Sequence, residues 1–140
     1  MEDRFDLERF VQAQAGLYEQ VLSELRAGRK RSHWIWFVFP QIAGLGHSPM
    51  AQRYAISSLD EARACLEHPV LGARLRECSA LVLAVPGKTV HEIFGSPDDL
   101  KVHSSMTLFH RAAPDETVFG QCLQQYFAGE EDPGTVARLK

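Results

Sequence analysis

The sequence predicts an all-α fold, mainly helical and folded as a single compact multi-helix domain over residues 1–140. Three observations carry that expectation. Apolar residues recur at helical spacing, as in Phe10, Leu17, Val21 and Leu25. Start and stop signals bracket these stretches. No two segments read as partner strands, and a lone strand would leave its backbone groups unpaired.

The elements follow in order. Asp6 is placed to cap a first helix from Leu7, which Gly16 interrupts before a second stretch to Ala27 stopped by Gly28. The block His33–Phe39 has the β-branched and aromatic content of a strand. Ser32 before it and Pro40 after it favour a short helix instead. Gln41–His47 is a glycine-bearing loop. Ser48-Pro49 and Ser96-Pro97 each pair an N-cap with a proline at the first helical position. Ser58…Glu61 and Thr89…Glu92 are capping boxes. His68-Pro69 opens a helix that stops before Pro86-Gly87; further helices cover about 97–112 and 116–127, and Asp132-Pro133 opens a last turn.

Composition narrows the function classes. The 140 residues are 45% hydrophobic and 24% charged, with a net charge of −3, ordinary for a soluble domain and the wrong sign for a nucleic-acid protein. Cys65, Cys78 and Cys122 are widely separated, without metal-ligand spacing, so a reducing compartment, the cytoplasm, is expected. The opening Met1-Glu2-Asp3-Arg4-Phe5-Asp6 has no signal-peptide character, and no apolar run is long enough to span a bilayer. No membrane or nucleic-acid partner, cofactor or metal is expected. The oligomeric state is not legible.

Two places carry chemistry. The first is Gly28–Gln41, where Lys30 and Arg31 abut a block containing both tryptophans; buried apolar side chains meeting cations mark a place where the core opens onto a polar ligand. Trp34 or Trp36 would stack a flat ring if not simply core. Gln41, Gly44 and Gly46 would let backbone amides approach a ligand. The second place is the helix after Ser96. At 100° per residue, Val102, Met106, Phe109 and Ala113 form its core face, and Asp98, Lys101 and Ser105 lie along the border with solvent. His103, Thr107, His110 and Arg111 point outward. Ser104-Ser105 is unfavourable at mid-helix unless its hydroxyls have partners, and Asp99 stands four residues before His103. Cys78, among Leu and Val, reads as an inert buried thiol.

Phe10-Val11-Gln12-Ala13-Gln14, the stretch Gly28–Gln41, His68-Pro69-Val70-Leu71-Gly72 and Asp98–Phe109 together resemble the bacterial family catalogued as domain of unknown function 1810. The likeness runs from about Phe5 to Phe127. It implies a small, cytoplasmic, mainly helical protein, and it stresses Lys30, His33, Trp34, Trp36, Pro40, Gln41, Gly44, Gly46, Asp98, Asp99, Lys101, Ser104, Ser105, Met106, Thr107 and Phe109. His103 departs from the family's more usual Arg. A fainter likeness to the NADAR family, helical proteins linked to ADP-ribose and NAD metabolism, lies in Ala13-Gln14, His68-Pro69-Val70-Leu71 and Ile93-Phe94-Gly95.

Three readings follow. In the first, a small molecule bearing phosphate or resembling a nucleotide binds Lys30, His33, Trp34, Trp36, Gln41, Gly44, Gly46, Lys101, Ser104, Ser105 and Thr107, and Asp98 or Asp99 assists water in its hydrolysis. In the second, the same pocket binds a metabolite without chemistry. In the third, Asp98, Lys101 and Ser105 form a buried packing network with no ligand, and the partners are proteins.

Overall fold

The computed structural model describes residues 3–139. Met1 and Glu2, part of the charged opening segment, and Lys140 lie outside them. Among the described residues the secondary structure is helical: α1 Glu8–Gln14, α2 Tyr18–Arg26, α3 Ile35–Val38, α4 Pro49–Arg53, α5 Leu59–Glu67, α6 Leu71–Leu83, α7 Val90–Phe94, α8 Asp98–Ala112, α9 Thr117–Phe127 and α10 Pro133–Arg138. The expected all-α class is what the chain adopts. One isolated parallel bridge pairs Ile42 with Ile56 and pins the loop after Pro40. No helix among the described residues is long and apolar enough to cross a membrane.

Helix α8, about 22 Å long at 1.5 Å per residue, is the axis of the fold. It packs against α5, α7, α9 and α10 and touches α3. Ser104, Ser105, Met106, Thr107, Leu108 and Phe109 are all buried, so its middle is covered on every side. Phe10, Leu25 and Phe39 are fully buried in the core, as are Phe109 of α8 and Phe119 of α9. Each such side chain contributes about 1.5–3 kcal/mol of transfer free energy.

Several ends differ from the sequence expectation, each for a local reason. Asp6 does not cap α1, because it sits in the left-handed region at φ 52°. The turn it makes brings Asp3 round instead, and the Asp3 carboxylate accepts the Leu7 and Glu8 N–H groups at 2.7 and 2.9 Å. Ser48 caps α4 through the Ala51 N–H, but Ser96 does not cap α8, which starts at Asp98 with no side-chain cap. Ser58 caps α5, while Glu61 turns away from its capping box to Ser57 and to Arg9 at 2.8 Å. The Thr89–Glu92 box is complete. The Trp34–Phe39 block is a single helical turn, and Ser32 serves a buried carboxylate rather than its N-terminus.

His68 and Gly72 explain the tight α5–α6 corner. The His68 Nδ1 accepts the Val70 and Leu71 N–H groups at 3.1 and 3.2 Å, a cap made by a ring nitrogen. Gly72 lies under the end of α5, where a Cβ would fall 2.1 Å from the Leu66 carbonyl oxygen. Backbone cannot yield as a flexible side chain can. Gly72→Ala is therefore expected to cost about 3 kcal/mol or more, at the top of the usual range for overpacking. Chemical denaturation checks it; a loss below about 1 kcal/mol would mean that α5 and α6 separate freely.

Candidate functional site

The polar centre of the fold is Glu24, on the buried face of α2. Its Oε1 accepts the backbone N–H groups of Arg31 and Ser32 at 2.7 and 3.0 Å and the Trp34 indole N–H at 2.9 Å. Its Oε2 accepts the Ser32 hydroxyl and the Gln20 amide. Burial alone would raise the Glu24 carboxyl, but the donors from Ser32, Arg31 and Trp34 outweigh it and hold the group at about 2. One carboxylate thus shapes the whole turn between α2 and α3, and this turn delivers Lys30.

Lys30 is held from four directions. Its backbone N–H donates to the Ile93 carbonyl of α7 at 2.8 Å. Its ammonium donates to the Ser32 carbonyl at 2.5 Å, lies 5.1 Å from the Trp34 ring centroid and pairs with Asp98 Oδ2 at 2.7 Å. The Lys30 side chain is only 6% exposed. A buried ammonium needs this degree of compensation. The other oxygen of Asp98 faces Lys101 Nζ at 3.7 Å, a looser contact with a side chain that is 23% exposed. Lys101 Nζ lies 5.1 Å from the Trp36 ring centroid, so each lysine covers one tryptophan and one carboxylate lies between them. Beside them, Asp99 Oδ2 meets His91 Nδ1 at 3.1 Å, and the His91 side chain is 64% exposed.

The structure brings together Lys30, Trp34, Trp36, Asp98 and Lys101, with Asp99 next to them. Trp34 is core, 1% exposed, with its N–H given to Glu24, so it offers no free face to a ligand. Trp36 is half-buried, and its indole nitrogen is buried with no hydrogen-bond partner among the described residues. Ser105 is fully buried, and its hydroxyl likewise has no partner there. His33 is exposed in the turn, and the Gln41 carbonyl accepts the Ile56 N–H at 2.8 Å.

The remaining residues serve packing. Ser104 and Thr107 face the C-terminal segment: Ser104 Oγ donates to Asp132 Oδ2 at 3.2 Å, and Thr107 Oγ1 accepts the Asp132 N–H at 2.9 Å. Thr107 is therefore buried rather than outward, because Asp132, which also caps α10 through Thr135, docks on it. His103 stacks on Phe127 at 4.1 Å and meets the Glu130 carbonyl at 2.7 Å, so Asp99 pairs with His91 and not with His103. The Gly44 carbonyl accepts an Arg138 guanidinium N–H at 3.1 Å, and at Gly46 a Cβ would fall 2.5 Å from that of Ala51; both are explained by close approach within the protein.

Sequence reasoning misses Glu24 and His91. Glu24 stands on an amphipathic helix like any surface acid, and its only signal is its place one turn before the Gly28 stop. His91 lies hidden inside a capping box. Cys65, Cys78 and Cys122 are buried and free, and burial pushes all three thiols up to about 12, which makes them poor nucleophiles. No group of three or more His, Cys, Asp or Glu among the described residues could hold a metal.

Two outcomes follow from this geometry. Because the Glu24 carboxyl falls from its ordinary 4.5 to about 2 on folding, its contribution is fully present above pH 4.5 and is lost as the pH falls toward 2. Glu24→Gln is expected to cost about 1.5–3 kcal/mol at neutral pH, as for a buried charged acceptor, and to flatten the acid limb of the stability curve measured by denaturation against pH. Asp98→Asn is expected to lower stability by about 3 kcal/mol, because it strands the buried Lys30 ammonium; an unchanged melting curve would show that Lys30 finds water instead.

The chain resembles the conserved hypothetical protein Rv1873 from Mycobacterium tuberculosis, whose crystal structure was solved at 1.38 Å. The two are 60% identical, 98% of each chain is covered and the TM-score is 0.97. No curated protein is similar enough to match. Residues 4–139 match the family described as "Protein of unknown function (DUF1810)", and the chain belongs to that family.

Proposed function

We propose that the corner formed by α7, the Lys30 turn and the first turn of α8 binds a small anionic molecule, of the phosphate-bearing or nucleotide-like class. The observation that carries this reading is the unequal sharing of Asp98. Lys30 takes the carboxylate at 2.7 Å in a nearly closed setting, and Lys101 is left at 3.7 Å in a more open one. Two ammonium groups share the Asp98 carboxylate, and the more loosely held of them is the one that solvent reaches. A phosphate oxygen meeting Lys101 would be met by a point charge with free donors. Trp36, beneath Lys101, supplies a half-buried aromatic edge. Lys30, Asp98 and Trp34 form the frame that fixes this corner, and the ligand reading describes Lys101.

A second reading, hydrolysis of the bound molecule, rests on the His91–Asp99 contact. A carboxylate on Nδ1 orients an imidazole with Nε2 outward, the arrangement of a general base acting on water. Asp98, held by two lysines, is the poorer choice for that task. The reaction would then run through Asp99 and His91, with Asp98 structural.

A thermal-shift series against NAD, ADP-ribose, mononucleotides, sugar phosphates and pyrophosphate tests both. A ligand at about a hundredfold over its Kd adds about 2.7 kcal/mol of stability. The shift is expected with at least one of these compounds and is expected to vanish in Lys101→Ala, whose own stability changes by under about 1 kcal/mol because its ion pair is partly exposed. No shift with any compound, with Lys101→Ala melting well below the parent, would replace the ligand reading by the packing network. For hydrolysis, Asp99→Asn is expected to keep the shift and lose turnover of the bound compound by about 100-fold or more; equal turnover would remove the dyad from the mechanism.

A further inference from the structure

A second polar corner lies on the other side of the Lys30 turn. Gly28, at φ 72°, packs against the turn after α6, where a Cβ at this position would come within 3.1 Å of Val85 Cγ1. Lys88 Nζ donates to the Gly28 carbonyl at 3.1 Å. Between the C-terminal ends of α2 and α6 runs an open groove of about 390 Å³. Leu81, Ala84 and Pro86 give it an accessible apolar lining over the buried Leu25 and Val85, and Arg26 and Lys88 stand among its lining residues as cations.

The charge here is unbalanced. Arg26, Arg29, Arg31 and Lys88 are all exposed, and among the described residues none of them makes an ion pair. The acids close by in sequence are committed elsewhere: Glu24 to the Arg31, Ser32 and Trp34 N–H groups, and Glu92 to its capping box with Thr89. Arg26, in the last turn of α2, complements the helix dipole, and Lys88 donates to the Gly28 carbonyl just past that helix end, so neither charge is met by a carboxylate. A chain of net charge −3 thus keeps two cations without an ion-pair partner in the lining of one apolar groove, with Arg29 and Arg31 exposed just beyond them in sequence.

We propose that this groove docks an acidic peptide segment of a partner protein, with apolar side chains set on Leu81, Ala84 and Pro86 and carboxylates on Arg26 and Lys88. The apolar lining decides between polyanions. A nucleic acid or a lipid headgroup presents phosphates and gains nothing from aliphatic side chains, and the net negative charge of the chain repels an extended polyanion. A peptide that alternates apolar and acidic residues satisfies both features at once.

Fluorescence anisotropy of a short labelled peptide in which Leu and Phe alternate with Glu tests the proposal on the intact chain. Saturable binding is expected, weakening with salt and falling by roughly tenfold or more when Ser replaces Leu and Phe in the peptide. Arg26→Glu with Lys88→Glu is expected to lower affinity by at least roughly tenfold. Ala84→Trp, which fills the groove from an exposed position while keeping every charge, is expected to do the same and keeps the test valid if the charge variant melts early. Absence of saturation, equal binding of the Ser peptide, or unchanged binding by Ala84→Trp would each overturn the proposal. Tighter binding of a single-stranded oligonucleotide or of phosphatidylserine vesicles than of the peptide would overturn it in favour of a phosphate surface.

Discussion

A single buried carboxylate sets the geometry on which both polar corners depend. Glu24 gathers two backbone N–H groups, a hydroxyl, an amide and an indole N–H, all but the amide from one stretch of chain. A buried charge is tolerated only when its lone pairs are so fully used. The consequence is directional: with Arg31, Ser32 and Trp34 fixed on one side, Lys30 must face α7 and α8, and Gly28 must face the turn after α6. The candidate ligand corner and the basic groove are two sides of one turn, held by one side chain on α2.

Helix α8 distributes the remaining polar residues along its length. Its first turn points Asp98 and Asp99 at the Lys30 turn and at His91. Its middle is buried all round, which is why its amphipathic pattern is weak. Ser104 and Thr107, on another face, receive Asp132 and dock α10. Polar residues along α8 therefore have two unrelated causes here, a socket for the C-terminal segment at its middle and the candidate site at its first turn. A helix so placed cannot tilt to suit one without disturbing the other.

Much of the fold is legible in the sequence, because helix ends are local chemistry. Ser48, Ser58, Thr89 and Asp132 cap as their spacing predicts, and Gly28 stops α2 in a left-handed conformation. Where expectation and structure part, a competing partner intervenes. Asp6 loses its cap to Asp3 through a turn, Glu61 leaves its box for Arg9, and Ser32 leaves the α3 end for Glu24. The site is legible in part for the same reason. The pairing of Asp98 with Lys101 is set by helical periodicity, and its meeting with Lys30 requires only that the aromatic block and α8 lie face to face. Thr107 reads as outward because no property of α8 alone reveals that Asp132 covers it. His91 cannot be chosen over His103 for Asp99 from sequence, because both spacings are open until the α7–α8 corner folds.

The two lysines at Asp98 show how one carboxylate gives cations different work. Lys30 has given up almost all contact with water and is compensated by Asp98, the Ser32 carbonyl and the Trp34 face; moving it would strand charges on both sides. Lys101 keeps part of its hydration, a long ion-pair distance and the face of Trp36, and a partly exposed pair of that kind is worth little. On the proposed ligand reading, an incoming anion would meet little resistance in drawing Lys101 from Asp98, because Lys30 still neutralises the carboxylate left behind. A site built this way needs no conformational change of its frame to accept a ligand: the strong pair holds the corner, and the weak pair is the part free to exchange partners.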